Sequence, residues 1–128
     1  MCLSADVNAA FDPTFPTVME KRNASYINKG VVVTKYTGSR GKYDTSDASA
    51  EYVSKIRSLL DNANIVWQIG ELGKVDEGGG GTVAKYIASL DVDVIDLGVP
   101  VLSMHSPFEV VAIFDVYMAF LAFCEFFK

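Results

Sequence analysis

The order of the elements predicts an α/β protein with a three-layer type of sandwich and a mostly parallel sheet. Three observations carry that expectation. Short runs rich in β-branched residues recur at Val31–Val33, Ile65–Val66 and Val92–Leu97. Stretches with apolar residues at helical spacing separate them. Strands that alternate with helices in this way build parallel sheets flanked by helices. The length, 128 residues, fits one domain, taken as 1–128, and half of the residues are hydrophobic.

The elements can be justified in order. Cys2-Leu3-Ser4-Ala5 reads as a short strand that ends at Asp6. It starts with almost no lead-in, and we read this as a cut within a longer protein. Residues 8–29 lack a sustained period, and Pro13 and Pro16 break them. They form a long loop with at most a helical turn around Val18–Lys21, and long loops in compact domains tend to be functional. Gly30–Tyr36 is a strand by its β-branched content. Thr37–Asp44 is a loop that carries Arg40, Lys42 and Tyr43. Thr45 or Ser46 then caps a helix to about Asn62, with Ala48, Tyr52, Val53, Ile56, Leu59 and Leu60 at helical spacing. Ile65–Ile69 is the next strand. Gly78-Gly79-Gly80-Gly81-Thr82 leads into a helix over Val83–Leu90, and Val92–Leu97 is the last strand. In the final stretch Ser106, Pro107 and Glu109 form a capping box for a long apolar helix over 110–127.

Composition excludes several classes. The net charge is −5, so there is no basic footprint for nucleic acid. Cys2 and Cys124 match no zinc or redox spacing and read as reduced thiols of a cytoplasmic protein. Residues 1–4 lack the charged and apolar regions of a signal peptide. The apolar C-terminal stretch raises the question of a membrane span. Asp115 interrupts it and Glu109 and Glu125 bracket it. A charge inside a span is costly, so a buried or interface helix is expected and no membrane is.

The candidates for chemistry are few. His105 is the only histidine, and it lies on the connection between a strand end and a helix start, where open α/β sheets build their sites. A lone histidine can equally be a surface or structural residue. Asp6, at a strand end, can ligate a metal or cap a turn. The glycine run can present N–H groups to an anion or be a plain turn; it is neither a Walker loop nor a dinucleotide fingerprint. Glycines also let backbone approach a substrate closely. Arg40 and Lys42 flank a loop tip and can simply be solvated.

A set of motifs then narrows these choices: Ser4-Ala5-Asp6; Asp12-Pro13 and Asn23 ahead of Lys29-Gly30; Tyr43 before Ser46-Asp47-Ala48; Asp76 ahead of Gly80, Gly81 and Thr82; Asp96-Leu97-Gly98-Val99-Pro100; and Met104-His105-Ser106. In this order they resemble the C-terminal part of the catalytic domain of the aspartyl aminopeptidase family, cytosolic metallo-exopeptidases with two adjacent zinc ions. The resemblance covers nearly the whole chain. It implies a truncated zinc-aminopeptidase-like fold. It implies that Asp6 ligates one zinc and His105 the other. It implies that Gly80, Gly81 and Thr82 border the substrate, a peptide. It offers Arg40 or Lys42 as a partner for an acidic N-terminal residue.

The departures are as informative. The family's His-x-Asp motif, whose aspartate bridges the metals, and its Glu-Glu pair, which supplies the general base and another ligand, do not occur in this sequence. The isolated chain is therefore expected to be inactive, or to be a non-catalytic natural or engineered fragment that folds and self-associates. The missing N-terminal half is a possible partner. The last helix carries Phe114, Phe120, Phe123, Phe126 and Phe127 on nearly every face, which predicts a homo-oligomer through this helix.

Overall fold

In the computed structural model, which describes residues 1–38, 40, 42–74 and 76–128, two central strands carry the core. These are β3 (Val31–Thr34) and β5 (Val94–Gly98), and every residue of both is buried. This follows from their near-continuous apolar sequence, the signature of strands covered on both faces. β1 (Cys2–Ala5) and β4 (Trp67–Ile69) lie at the edges, in the order β1-β5-β3-β4. β1 runs parallel to β5 and β4 runs parallel to β3, while β3 and β5 are antiparallel. The short strands β2 (Asn8–Ala9) and β6 (Pro100–Val101) continue β1 and β5 as a second, parallel pair. The sheet is thus mostly parallel, with one antiparallel seam at its centre.

One face of the sheet carries the two long helices. α1 (Ala50–Asn62) buries Tyr52, Ile56 and Leu60, four residues apart, and α3 (Ile113–Phe126) buries Asp115, Met118, Ala119 and Ala122. These stripes pack on Val31, Val33, Ile95 and Leu97. The other face is polar at its centre. The Asn8 amide donates to the Thr34 hydroxyl (3.0 Å) and to the Gly70 carbonyl (3.3 Å), and Ser25 donates to Asn8 Oδ1 (2.6 Å). This network ties the long loop to β3, and all three side chains are buried. A single 3-10 turn, Pro16–Val18, interrupts that loop. The short helix α2 (Ala84–Ala88) lies beside β5.

Two helix starts differ from the expectation, for identifiable reasons. The Ala48 N–H donates to the Lys35 carbonyl (2.9 Å) and Tyr36 bridges Asp47. That pairing holds 45–48 extended, so the cap of α1 moves to Ser49, whose hydroxyl accepts the N–H of Tyr52. The capping box at Ser106–Glu109 does not open α3 either. Leu102 and Val110 exchange backbone hydrogen bonds of 2.9 and 3.1 Å, which closes 103–109 into a loop. Ser106 instead shares hydrogen bonds with Phe108 inside that loop, and α3 begins at Ile113 with no side-chain cap.

Asp115, which broke the apolar stretch in the sequence, is fully buried and accepts the N–H groups of Asn28 (2.5 Å) and Gly30 (2.7 Å). It clasps the end of the long loop to α3. Among the described residues no helix is long and apolar enough to cross a membrane.

Candidate functional site

The connections that leave the carboxyl ends of β1 and β6 meet at one cleft. Asp6 stands on the first, between β1 and β2, with its N–H donated to the Ser4 carbonyl (3.0 Å). The two strands separate here because β1 pairs with β5 and β2 with β6, leaving Asp6 and Val7 between the pairings. His105 stands on the second, in the loop closed by Leu102 and Val110. Its backbone is left-handed (φ +68°), as is that of Ser103 (φ +59°). Such a conformation costs a non-glycine residue energy and clusters at functional sites. Glu109 holds it by accepting the His105 N–H at 2.5 Å.

Asp6 and His105 line a cleft of about 430 Å³ together with Met104, Gly80, Gly81 and Thr82. The structure therefore brings five of the seven candidate residues to one place. The other two are not among the residues that line it. Lys42 shares Asp47 with Lys35, and its ammonium lies 4.7 Å from the Tyr36 ring centre. Burial works against the charge of Asp47, but the two lysines hold its pKa below the usual carboxylate range. Arg40 is exposed, and its N–H donates to the Gly78 carbonyl (3.2 Å) beside the glycine turn.

Two buried acids were not among the candidate site residues. Asp96, in the middle of β5, accepts the Thr82 hydroxyl at 2.7 Å and leaves its second oxygen without a partner among the described residues. Burial raises its pKa; the hydroxyl of Thr82 opposes this, and the charge of Asp6 adds to it. Glu71, just past β4, is 8% exposed, and burial pushes its pKa up to about 8. Glu71 carried no sequence signal beyond its place after an apolar strand. Asp96 carried a weak one: a charge inside a run otherwise fit for the core.

The cleft offers one carboxylate and one imidazole, donors that suit zinc. Among the described residues no group of three or more histidine, cysteine, aspartate or glutamate side chains could hold a metal ion. Asp6 and His105 can each contribute one donor, and even both donors on one ion would leave a tetrahedral shell half filled.

Comparison with known proteins settles the lineage. The family model described as "Aminopeptidase I zinc metalloprotease (M18)" matches residues 1–127. This chain belongs to the M18 peptidase family. A probable M18 family aminopeptidase 1 from Clostridium acetobutylicum is 53% identical over 115 residues, which is 90% of this chain and 25% of that relative. The crystal structure of an M18 aminopeptidase from Thermotoga maritima superposes with a TM-score of 0.95 at 44% identity, covering 98% of this chain and 28% of the other. A dodecamer of mApe1 from S. cerevisiae superposes with a TM-score of 0.75 at 26% identity, covering 98% and 26%. This M18 chain thus spans about a quarter of the length of the relatives it matches.

Proposed function

We propose that this chain is the part of an M18 aminopeptidase that holds one side of the zinc centre and the peptide cleft. In this reading it acts in the zinc-dependent removal of N-terminal residues from peptides. The observation that carries the reading is the convergence of Asp6, His105 and the Gly80–Thr82 turn on one cleft. Asp6 and His105 would each give zinc one donor. Zinc, when bound, polarises a carbonyl and lowers the pKa of a bound water. The sequence lacks the His-x-Asp and Glu-Glu motifs that would supply the bridging carboxylate and the general base, so the isolated chain is expected to be inactive. An acidic N-terminal residue would be met by Arg40, beside the turn, because Lys42 is committed to Asp47. A cytoplasmic location fits two cysteines that are both free thiols.

The test is complementation. The chain is mixed with a Clostridium acetobutylicum relative truncated to remove the matching quarter, and release of N-terminal aspartate, glutamate and leucine is followed with added zinc. Activity is expected only with both pieces, and not with His105→Ala. Equal activity from His105→Ala would sink the reading.

A second reading has its own support. Ile113, Tyr117 and Phe120 on α3 and Phe127 at its C-terminal cap are 86%, 54%, 60% and 80% exposed. A face this apolar on a soluble domain marks an association surface, which suits a fragment that folds and self-associates. Phe123 packs on the core instead, and Phe114 is 39% exposed. An anion site at the glycine turn has less support: α2 spans only five residues, and the Asp96 carboxylate stands at its approach.

A further inference from the structure

The four glycines at 78–81 do not all serve the fold. Gly79 has φ +112°, and a Cβ on it would lie 2.0 Å from the Gly38 carbonyl oxygen; a Cβ on Gly78 would lie 2.8 Å from the Lys74 nitrogen. Both must be glycine. Gly80 and Gly81 are different. Neither has positive φ. A Cβ on Gly80 would meet nothing within 4 Å, and one on Gly81 would make only ordinary contacts, the nearest at 3.6 Å. Both line the cleft, so the space over Gly80 is cleft space.

Part of the main chain here has no partner among the described residues. The carbonyls of Gly78 and Gly80 take the N–H groups of Arg40 and Gly38 (3.2 and 2.7 Å). Among the described residues no hydrogen bond uses the N–H or carbonyl of Gly79 or Gly81, and both residues are exposed. A second, independent observation lies behind the same turn. Glu71 is 8% exposed, and its Oε2 has no partner among the described residues. It lines a small cavity with Gly78, and that cavity shares Leu72 and Gly73 with the cleft.

We propose that the strip Gly79–Gly81 receives the main chain of an extended peptide, pairing with it as an added strand, with Glu71 as an acceptor for an N–H or ammonium group at one end. The inference rests on the peptide-substrate reading above and names its mode of recognition. Free donors and acceptors two residues apart match the repeat of a strand. Strand addition draws affinity from main-chain hydrogen bonds, and the missing side chain at Gly80 lets the two backbones approach. The peptide is thus held with little regard to its side chains along this stretch.

The test titrates the 128-residue protein with Asp-Ala-Ala-Ala, its N-acetyl form and a set carrying one N-methyl group walked along the peptide, followed through backbone amide shifts. Shifts at residues 79–82 are expected. N-methylation at alternate positions should weaken binding at least tenfold and at the intervening positions by less than about twofold, because successive strand residues face opposite edges. Gly80→Ala should weaken binding at least tenfold with an unchanged thermal midpoint, and Glu71→Gln should weaken it less. A flat N-methyl profile overturns the proposal, as does undiminished binding by Gly80→Ala. So does a response at 79–82 to inorganic phosphate but not to peptide. If Gly80→Ala does not fold, the N-methyl profile decides alone. Alternation with failed complementation would keep the strip and reject the aminopeptidase reading; complementation with a flat profile would do the reverse.

Discussion

The carbonyl oxygen of Asp6 occupies the place where Gly98 would carry a side chain: a Cβ built on Gly98 lies 1.6 Å from it. Gly98 is buried in β5, so the turn that presents Asp6 to the cleft crosses directly over a bare stretch of the neighbouring strand. Gly98→Ala is therefore expected to destabilise the chain by about 1–3 kcal/mol or more, a large share of a usual margin of about 5–15 kcal/mol. Urea unfolding measures it. An unchanged midpoint would show that the turn moves aside freely.

Asp115 serves two buried or half-buried N–H groups from 85 and 87 residues away. Asp115→Ala leaves both without a partner, at about 1–3 kcal/mol for each orphaned group. Amide exchange at Asn28 and Gly30 should accelerate more than exchange in α1. Uniform acceleration would mean that the clasp is not local.

Glu71 sets a pH dependence. Its pKa is about 8 in the folded chain against an ordinary 4.5. Between those values the folded state holds a proton that the unfolded state has released. Stability therefore falls as pH rises from about 4.5 to about 8 and levels off above. Glu71→Gln, which cannot ionise, should flatten this part of the thermal-midpoint profile and be the more stable form at pH 8. Parallel profiles for the two proteins would place the slope elsewhere.

Zinc binding by the isolated chain should be weak, because two donors leave half of the shell to water. It should diminish in both His105→Ala and Asp6→Ala, read by calorimetry with no substrate present. A tight affinity that neither substitution touches would point to a different set of ligands.

Light scattering at micromolar concentration is expected to show a homo-oligomer, since each large apolar side chain of α3 left in water forgoes roughly 1.5–3 kcal/mol of burial. Phe120→Asp should shift it toward monomer. A wild-type monomer would mean that α3 tolerates its exposed face.

The strands β3 and β5 were legible because a strand buried on both faces is apolar along nearly its whole length, as Val31–Val33 are and as Val94–Leu97 are apart from Asp96. The cleft residues Asp6, Gly80, Gly81, Thr82 and His105 were legible as motifs in fixed order. The start of α3 was not. Ser106 and Glu109 have the right chemistry for a cap, but the bridge between Leu102 and Val110 engages that backbone first, and a pairing across eight residues leaves no local mark. The network of Asn8, Ser25 and Thr34 was equally hidden. Each is an ordinary loop or strand residue alone, and only the fold brings them together. Glu71 reads as a surface acid until the strand beside it is seen to carry it inward.

Because α3 packs on the Ile95 and Leu97 side of β5, while Thr82 reaches Asp96 from the other side, the sheet separates two kinds of traffic. Whatever shields the phenylalanines of α3 approaches from one direction, and a peptide bound as proposed would enter from the opposite one. Assembly can therefore proceed without closing the entrance. The buried row of β5 is the wall between them, and on its far side Asp96 accepts the hydroxyl of Thr82, which lines the cleft.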